Sequence, residues 1–145
     1  MTIDLRPILT VIGVLLTTLG TAMLVPATID WAQSNADWRV FAITFAVTAG
    51  TGSVLFLANR GIRGALSTRQ ALVMTATAWT TLAAFGALPY YFSGVVPGFT
   101  DAFFESMSAL TTTGATVIVG LEQAPPGILM WRAIQQWLGG LGIIV

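Results

Sequence analysis

The sequence predicts an all-α polytopic membrane protein, and three observations carry that prediction. Hydrophobic residues make up 55% of the 145 residues and charged residues only 8%, against about 25% in an ordinary soluble domain. The apolar residues gather into four long runs that are free of charge except for one arginine. The chain has no His and no Cys, and all six of its basic residues are Arg. That excludes imidazole and thiolate metal ligands, Cys or His nucleophile chemistry and disulfides. Six scattered arginines also make no electrostatic footprint for nucleic acid.

The first run covers residues 7–29, 23 residues without a charge. As a helix it would reach roughly 34 Å, enough for a hydrocarbon core of about 30 Å. It lacks a polybasic start and more spans follow, so it reads as a retained span and not a signal peptide. Residues 40–58 form the second run, between Arg39 and Asn59-Arg60. Residues 71–92 form the third, ending in Pro89-Tyr90-Tyr91-Phe92, aromatics that fit a membrane interface. The last run, 127–145, contains Arg132. Arg60, Arg63 and Arg69 cluster between the second and third runs and Arg6 precedes the first. The positive-inside rule therefore places the N-terminus and the Arg60 to Arg69 loop in the cytoplasm.

Residues 102–121 form a further apolar stretch with one charge, Glu105. Val96-Pro97-Gly98-Phe99-Thr100 reads as a turn leading into a helix, with Thr100 as N-cap and Asp101 in the first turn. Helix formers continue to Leu110, and then come Thr111-Thr112-Thr113 and Gly114. β-Branched threonines disfavour helix and glycine permits unusual dihedrals. A helix of this length is about half a bilayer, as in a re-entrant segment. Consecutive carbonyls beyond it could replace an ion's hydration shell, and the helix C-terminus would favour a cation. The alternative at this point is a fourth full span with a threonine-rich middle. That alternative makes the chain a non-conducting helical scaffold or assembly subunit.

Single residues are weighed in the same way. Glu105 reads as a brace for the short helix, with an interfacial acid as the plainer reading. Arg132 either snorkels outward or pairs with an acid such as Glu105. Ser106 and Ser108 read as helix-packing residues, since a serine nucleophile would find no base. Gly139-Gly140 and Gly142 read as packing or bending positions. No residue qualifies as catalytic, and the chain reads as a non-enzyme.

The segment from Thr100 to Thr116, TDAFFESMSALTTTGAT, resembles the first pore helix and filter of the Trk/Ktr/HKT potassium-transporter superfamily, in particular its bacterial TrkH-type subunits. Leu88-Pro89-Tyr90-Tyr91 before it and WRAIQQWLGGLGIIV from Trp131 after it resemble the flanking helices of the same repeat. The resemblance covers the whole chain and is weaker over the first two spans. It implies two leading transmembrane helices, residues 1–60, and one helix–re-entrant pore helix–helix repeat of potassium-channel-like architecture, residues 61–145. It implies potassium uptake across the bacterial inner membrane through backbone carbonyls of Thr111, Thr112, Thr113 and Gly114. Glu105 and Arg132 would be supporting residues. Potassium would be the substrate, with no tightly bound cofactor. The implied partners are three further repeats, a second copy in a homodimer and a TrkA-like cytoplasmic nucleotide-binding subunit, with no nucleic acid. Members of that family are about three times longer, so the chain reads as a fragment ending inside its last helix.

Overall fold

The structure, a computed structural model, describes residues 5–60 and 67–144. Those residues are helical throughout apart from turns, one 3-10 turn and one irregular segment. The helices are α1 (Arg6–Ala22), α2 (Leu24–Ala32), α3 (Trp38–Asn59), α4 (Thr68–Gly86), α5 (Leu88–Phe92), α6 (Phe99–Leu110) and α7 (Pro126–Ile144). Among the described residues three helical stretches are long and apolar enough to cross a membrane: Arg6–Ala32, Trp38–Asn59 and Thr68–Phe92. Arg63, counted in the orientation argument, lies outside the described residues, as does Val145.

Two of the three stretches are broken by proline. The first changes at Met23, between α1 and α2, and the third at Ala87, between α4 and α5. Pro26 and Pro89 have no N–H, and their rings crowd the carbonyls four residues earlier, at Ala22 and Phe85. Six threonine hydroxyls in the apolar helices are satisfied locally. Thr17, Thr18, Thr21, Thr75, Thr77 and Thr80 each donate to the carbonyl four residues back. Ser67 starts α4 with a reciprocal cap, accepting from Gln70 N–H while the Gln70 side chain accepts from Ser67 N–H.

α1 and α3 run antiparallel and approach closely. A Cβ on Gly13 would stand 2.6 Å from Phe56 N, and one on Gly52 would stand 2.6 Å from Thr17 N. Small residues at such a crossing let backbones pack directly, the usual means of association where lipid removes the hydrophobic drive. The main core gathers Leu19, Phe41, Tyr90, Ile128 and Trp131 from four helices, with Met23 from the break between α1 and α2. Phe41 and Trp131 meet edge to face, with ring centroids 6.4 Å apart.

Residues 102–121 do not form a fourth continuous helix. α6 ends at Leu110, and residues 113–118 have no regular structure before the 3-10 turn Leu121–Gln123. The start of α6 differs from the sequence expectation too. Gly98, extended at φ −146° and ψ 162°, is the N-cap, and Thr100 lies inside the helix. Glycine is nearly as good as threonine at an N-cap, and Asp101 is still in the first turn.

Candidate functional site

The site is the segment from Thr111 to Val117, held between α6 and α7. Its first residues fold back on the end of α6. Thr111 N–H donates to Met107 O at 2.9 Å, Thr112 N–H to Ala109 O at 3.0 Å and Thr113 N–H to Ser108 O at 2.9 Å. Gly114 N–H also turns to Ser108 O, at 3.3 Å. Four successive donors therefore point back into the helix. Among the described residues, the carbonyls of Thr111, Thr112 and Thr113 receive no hydrogen bond, and all three residues are exposed.

This geometry requires unusual backbone. Gly114 has φ +78° and Thr112 has φ +58°. The glycine adopts the left-handed region freely, whereas a β-branched threonine does so at a cost of about 1–3 kcal/mol. The hydroxyls of Thr111 and Thr113 meet at 2.8 Å across Thr112, and the Thr111 hydroxyl is also bonded to Met107 O at 2.8 Å. These contacts help hold Thr112 in place.

The following residues are stitched down along one side. Glu105, fully buried on α6, accepts through Oε2 from Thr116 Oγ1 and Val117 N–H, each at 3.0 Å. Its Oε1 accepts from Arg132 Nε of α7 at 2.5 Å. Arg132 Nη2 then donates to Gly114 O at 2.9 Å and to Ala115 O at 3.3 Å. Ser108 Oγ donates to Ala115 O at 2.6 Å. One buried acid and one arginine thus fix four consecutive residues. Of the two sequence readings of Arg132, the structure has the pair with Glu105. The Gly114 carbonyl, grouped in the sequence reading with those of the three threonines, has one lone pair engaged by Arg132 and keeps a second.

A second buried set locks α6 in place. Tyr90 Oη donates to Gln135 Oε1 at 2.7 Å, and Gln135 Nε2 donates to Ser106 Oγ at 2.8 Å. Trp131 Nε1 donates to Gly86 O at 3.0 Å. A Cβ on Gly139 would fall on the backbone carbonyl of Leu110, so the end of α6 lies directly against α7. The sequence reading missed most of this set. It placed Tyr90 with Tyr91 and Phe92 at an interface, yet Tyr90 is fully buried while its two neighbours are exposed. It assigned no role to Gln135 or Thr116. An uncompensated glutamine in an apolar run was the available signal for the first.

The arrangement offers no acid–base or nucleophilic pair. Among the described residues, no group of three or more Asp and Glu could hold a metal ion with side chains. What it does present is a row of backbone carbonyls at the negative end of a short helix.

Residues 37–145 match the family model of TrkH, described as cation transport protein. The chain is 42% identical over 143 residues to the Trk system potassium uptake protein TrkH of Halomonas elongata, covering 98% of this chain and 30% of that protein. It is likewise 42% identical over 142 residues to the Trk system potassium uptake protein TrkH of Escherichia coli K12, covering 97% of this chain and 29% of that one. The crystal structure of the potassium transporter TrkH from Vibrio parahaemolyticus superimposes with a TM-score of 0.91 at 39% identity, over 98% of this chain and 31% of that chain. The chain therefore spans about three tenths of the length of these relatives. With its three apolar spans and its match over three quarters of its length, the chain is a multi-pass membrane protein that belongs to the TrkH family of cation transport proteins.

Proposed function

We propose that this chain forms part of a potassium uptake protein and supplies one of four strands of its ion filter. The observation that carries the reading is the row of unbonded carbonyls at Thr111, Thr112 and Thr113, beyond the C-terminus of a 12-residue helix. Carbonyl dipoles can replace the hydration shell of a potassium ion, and the helix end adds partial negative charge without an acidic side chain. Gly114 adds the left-handed turn and the free lone pair of its own carbonyl. In this reading α6 is a re-entrant pore helix. Residues 61–145 are then one helix–pore helix–helix repeat and residues 1–60 a leading helix pair.

One strand cannot enclose an ion, so three further repeats complete the ring. A second copy and a TrkA-like nucleotide-binding subunit on the cytoplasmic side are the partners in this reading. The protein lies in the bacterial inner membrane with its N-terminus in the cytoplasm. No step makes or breaks a covalent bond.

The test is potassium uptake by the protein at its natural length, in cells without other potassium uptake. Gly114→Val forces a β-branched residue into φ +78°. Uptake should be lost or should lose its preference for potassium over sodium. Unchanged uptake with unchanged preference would sink the proposal.

A further inference from the structure

Asp30 is a fully buried carboxylate that the ion path described above does not use. It lies near the end of α2, ahead of residues 37–145 that match the family model. Its Oδ1 accepts from Gly127 N–H at 2.8 Å, across 97 residues of chain. Among the described residues its Oδ2 has no hydrogen-bond partner. Gly127 is the second residue of α7, and Pro126 before it has no N–H. Gly127 therefore carries the first orphan donor of that helix. A carboxylate at this point satisfies the donor and sits at the positive end of the helix macrodipole. The fit is close on both sides, because a Cβ on Gly127 would fall on the carboxylate itself.

Asp30 meets α7 at one end of a line of contacts. That helix meets its neighbours at four positions spaced by four residues. Gly127 meets Asp30, Trp131 meets Gly86 O, Gln135 meets Tyr90 and Ser106, and Gly139 meets Leu110. Positions four apart lie on one face of a helix. Arg132 lies on the adjoining row and reaches Gly114 O and Ala115 O. A slide of α7 along its axis would withdraw the guanidinium from both carbonyls. Of the hydrogen bonds along this row, that of Asp30 is the one from the leading helix pair, whose Phe41 also packs edge to face on Trp131.

We infer that Asp30 is a positioning residue for the ion path. From outside the repeat it caps α7 and sets the register at which Arg132 meets the filter segment. The inference rests on the reading of residues 111–114 as filter.

The chain has no cysteine, so an introduced pair can report the register. A Cβ on Gly140 would stand 3.8 Å from Cγ2 of Thr112, within reach of a disulfide between Thr112→Cys and Gly140→Cys. Cross-linking is measured in the protein at its natural length with and without Asp30→Ala. Potassium-over-sodium preference is measured in parallel without the cysteines, at matched amounts of membrane protein. Asp30→Ala should reduce cross-linking and lower the preference by about threefold or more. Asp30→Asn keeps an acceptor for Gly127 N–H and should retain both. Gly127→Ala displaces the carboxylate and should act like Asp30→Ala. The double variant should be no worse than Asp30→Ala, because the clash needs the carboxylate. Wild-type cross-linking and preference in Asp30→Ala would overturn the inference, as would Asp30→Asn falling equally far. Should Asp30→Ala not accumulate, the same two readouts in Gly127→Ala decide, and no change there overturns it. Reduced cross-linking in a protein whose wild type takes up no potassium would instead uphold the cap and sink the filter reading.

Discussion

Replacing Glu105 by alanine removes the acceptor for Arg132 Nε, Thr116 Oγ1 and Val117 N–H in one step. The arginine is the costly remainder. Removing one partner of a buried ion pair costs about 3–5 kcal/mol, because the other charge stays behind uncompensated. The Arg132 side chain is 15% exposed, so some water reaches it, and the lower end of that range applies. Thr116 and Val117 are exposed and exchange a protein acceptor for water, adding a small term. The expected loss is therefore about 3 kcal/mol. Removing Arg132 as well takes away the stranded charge. Glu105→Ala with Arg132→Ala should then cost less than the sum of the singles by about 2 kcal/mol, within the range measured for directly contacting residues. The assay is reversible unfolding of all four proteins in mixed micelles. Additivity within about 0.5 kcal/mol would refute the claim that the two groups form one unit.

Two further outcomes follow from the buried contacts of α7. Gln135→Leu strands the Tyr90 hydroxyl and the Ser106 hydroxyl in the core, at about 1–3 kcal/mol each by unfolding in the same micelles, and adding Tyr90→Phe should recover part of that loss. Gly139→Ala drives a methyl into the Leu110 carbonyl and should destabilise by at least about 1–3 kcal/mol, whereas Gly142→Ala, with open space around the position, should be nearly neutral in the same measurement.

The run boundaries were legible because lipid-length apolar segments end where charge begins. The run 40–58 became α3, Trp38–Asn59. The breaks at Met23 and Ala87 were not foreseen, although Pro26 and Pro89 announce them by crowding carbonyls four residues earlier. The short helix was legible from its brackets, with Pro97-Gly98 before it and three threonines and a glycine after. Its cap was misplaced by two residues because the preference for threonine over glycine there is small. Tyr90 and Tyr91 look alike in sequence, and only helix direction decides that one is buried and the other exposed. Contacts such as Asp30 with Gly127 join residues 97 apart, and no local periodicity encodes them.

A cationic side chain beside the proposed cation path poses an electrostatic problem, and the geometry around Arg132 answers it. In the proposed filter a lone guanidinium there would repel the ion that the carbonyls would attract. Glu105 is fully buried and takes Nε, so the pair brings no net charge to the segment. Nη2 of the same planar group remains free to donate to Gly114 O and Ala115 O. A guanidinium does both because its donors are fixed in a fork, whereas an ammonium is a point charge on a flexible stem. The two charges that α6 and α7 bring to this segment thus act as backbone anchors. The carbonyls of Gly114 and Ala115 are held by Arg132 of α7, and among the described residues those of Thr111 to Thr113 receive no donor. In the proposed filter, charge neutrality and the anchoring of the Gly114 carbonyl therefore depend on the same three atoms: Oε1 of Glu105, and Nε and Nη2 of Arg132.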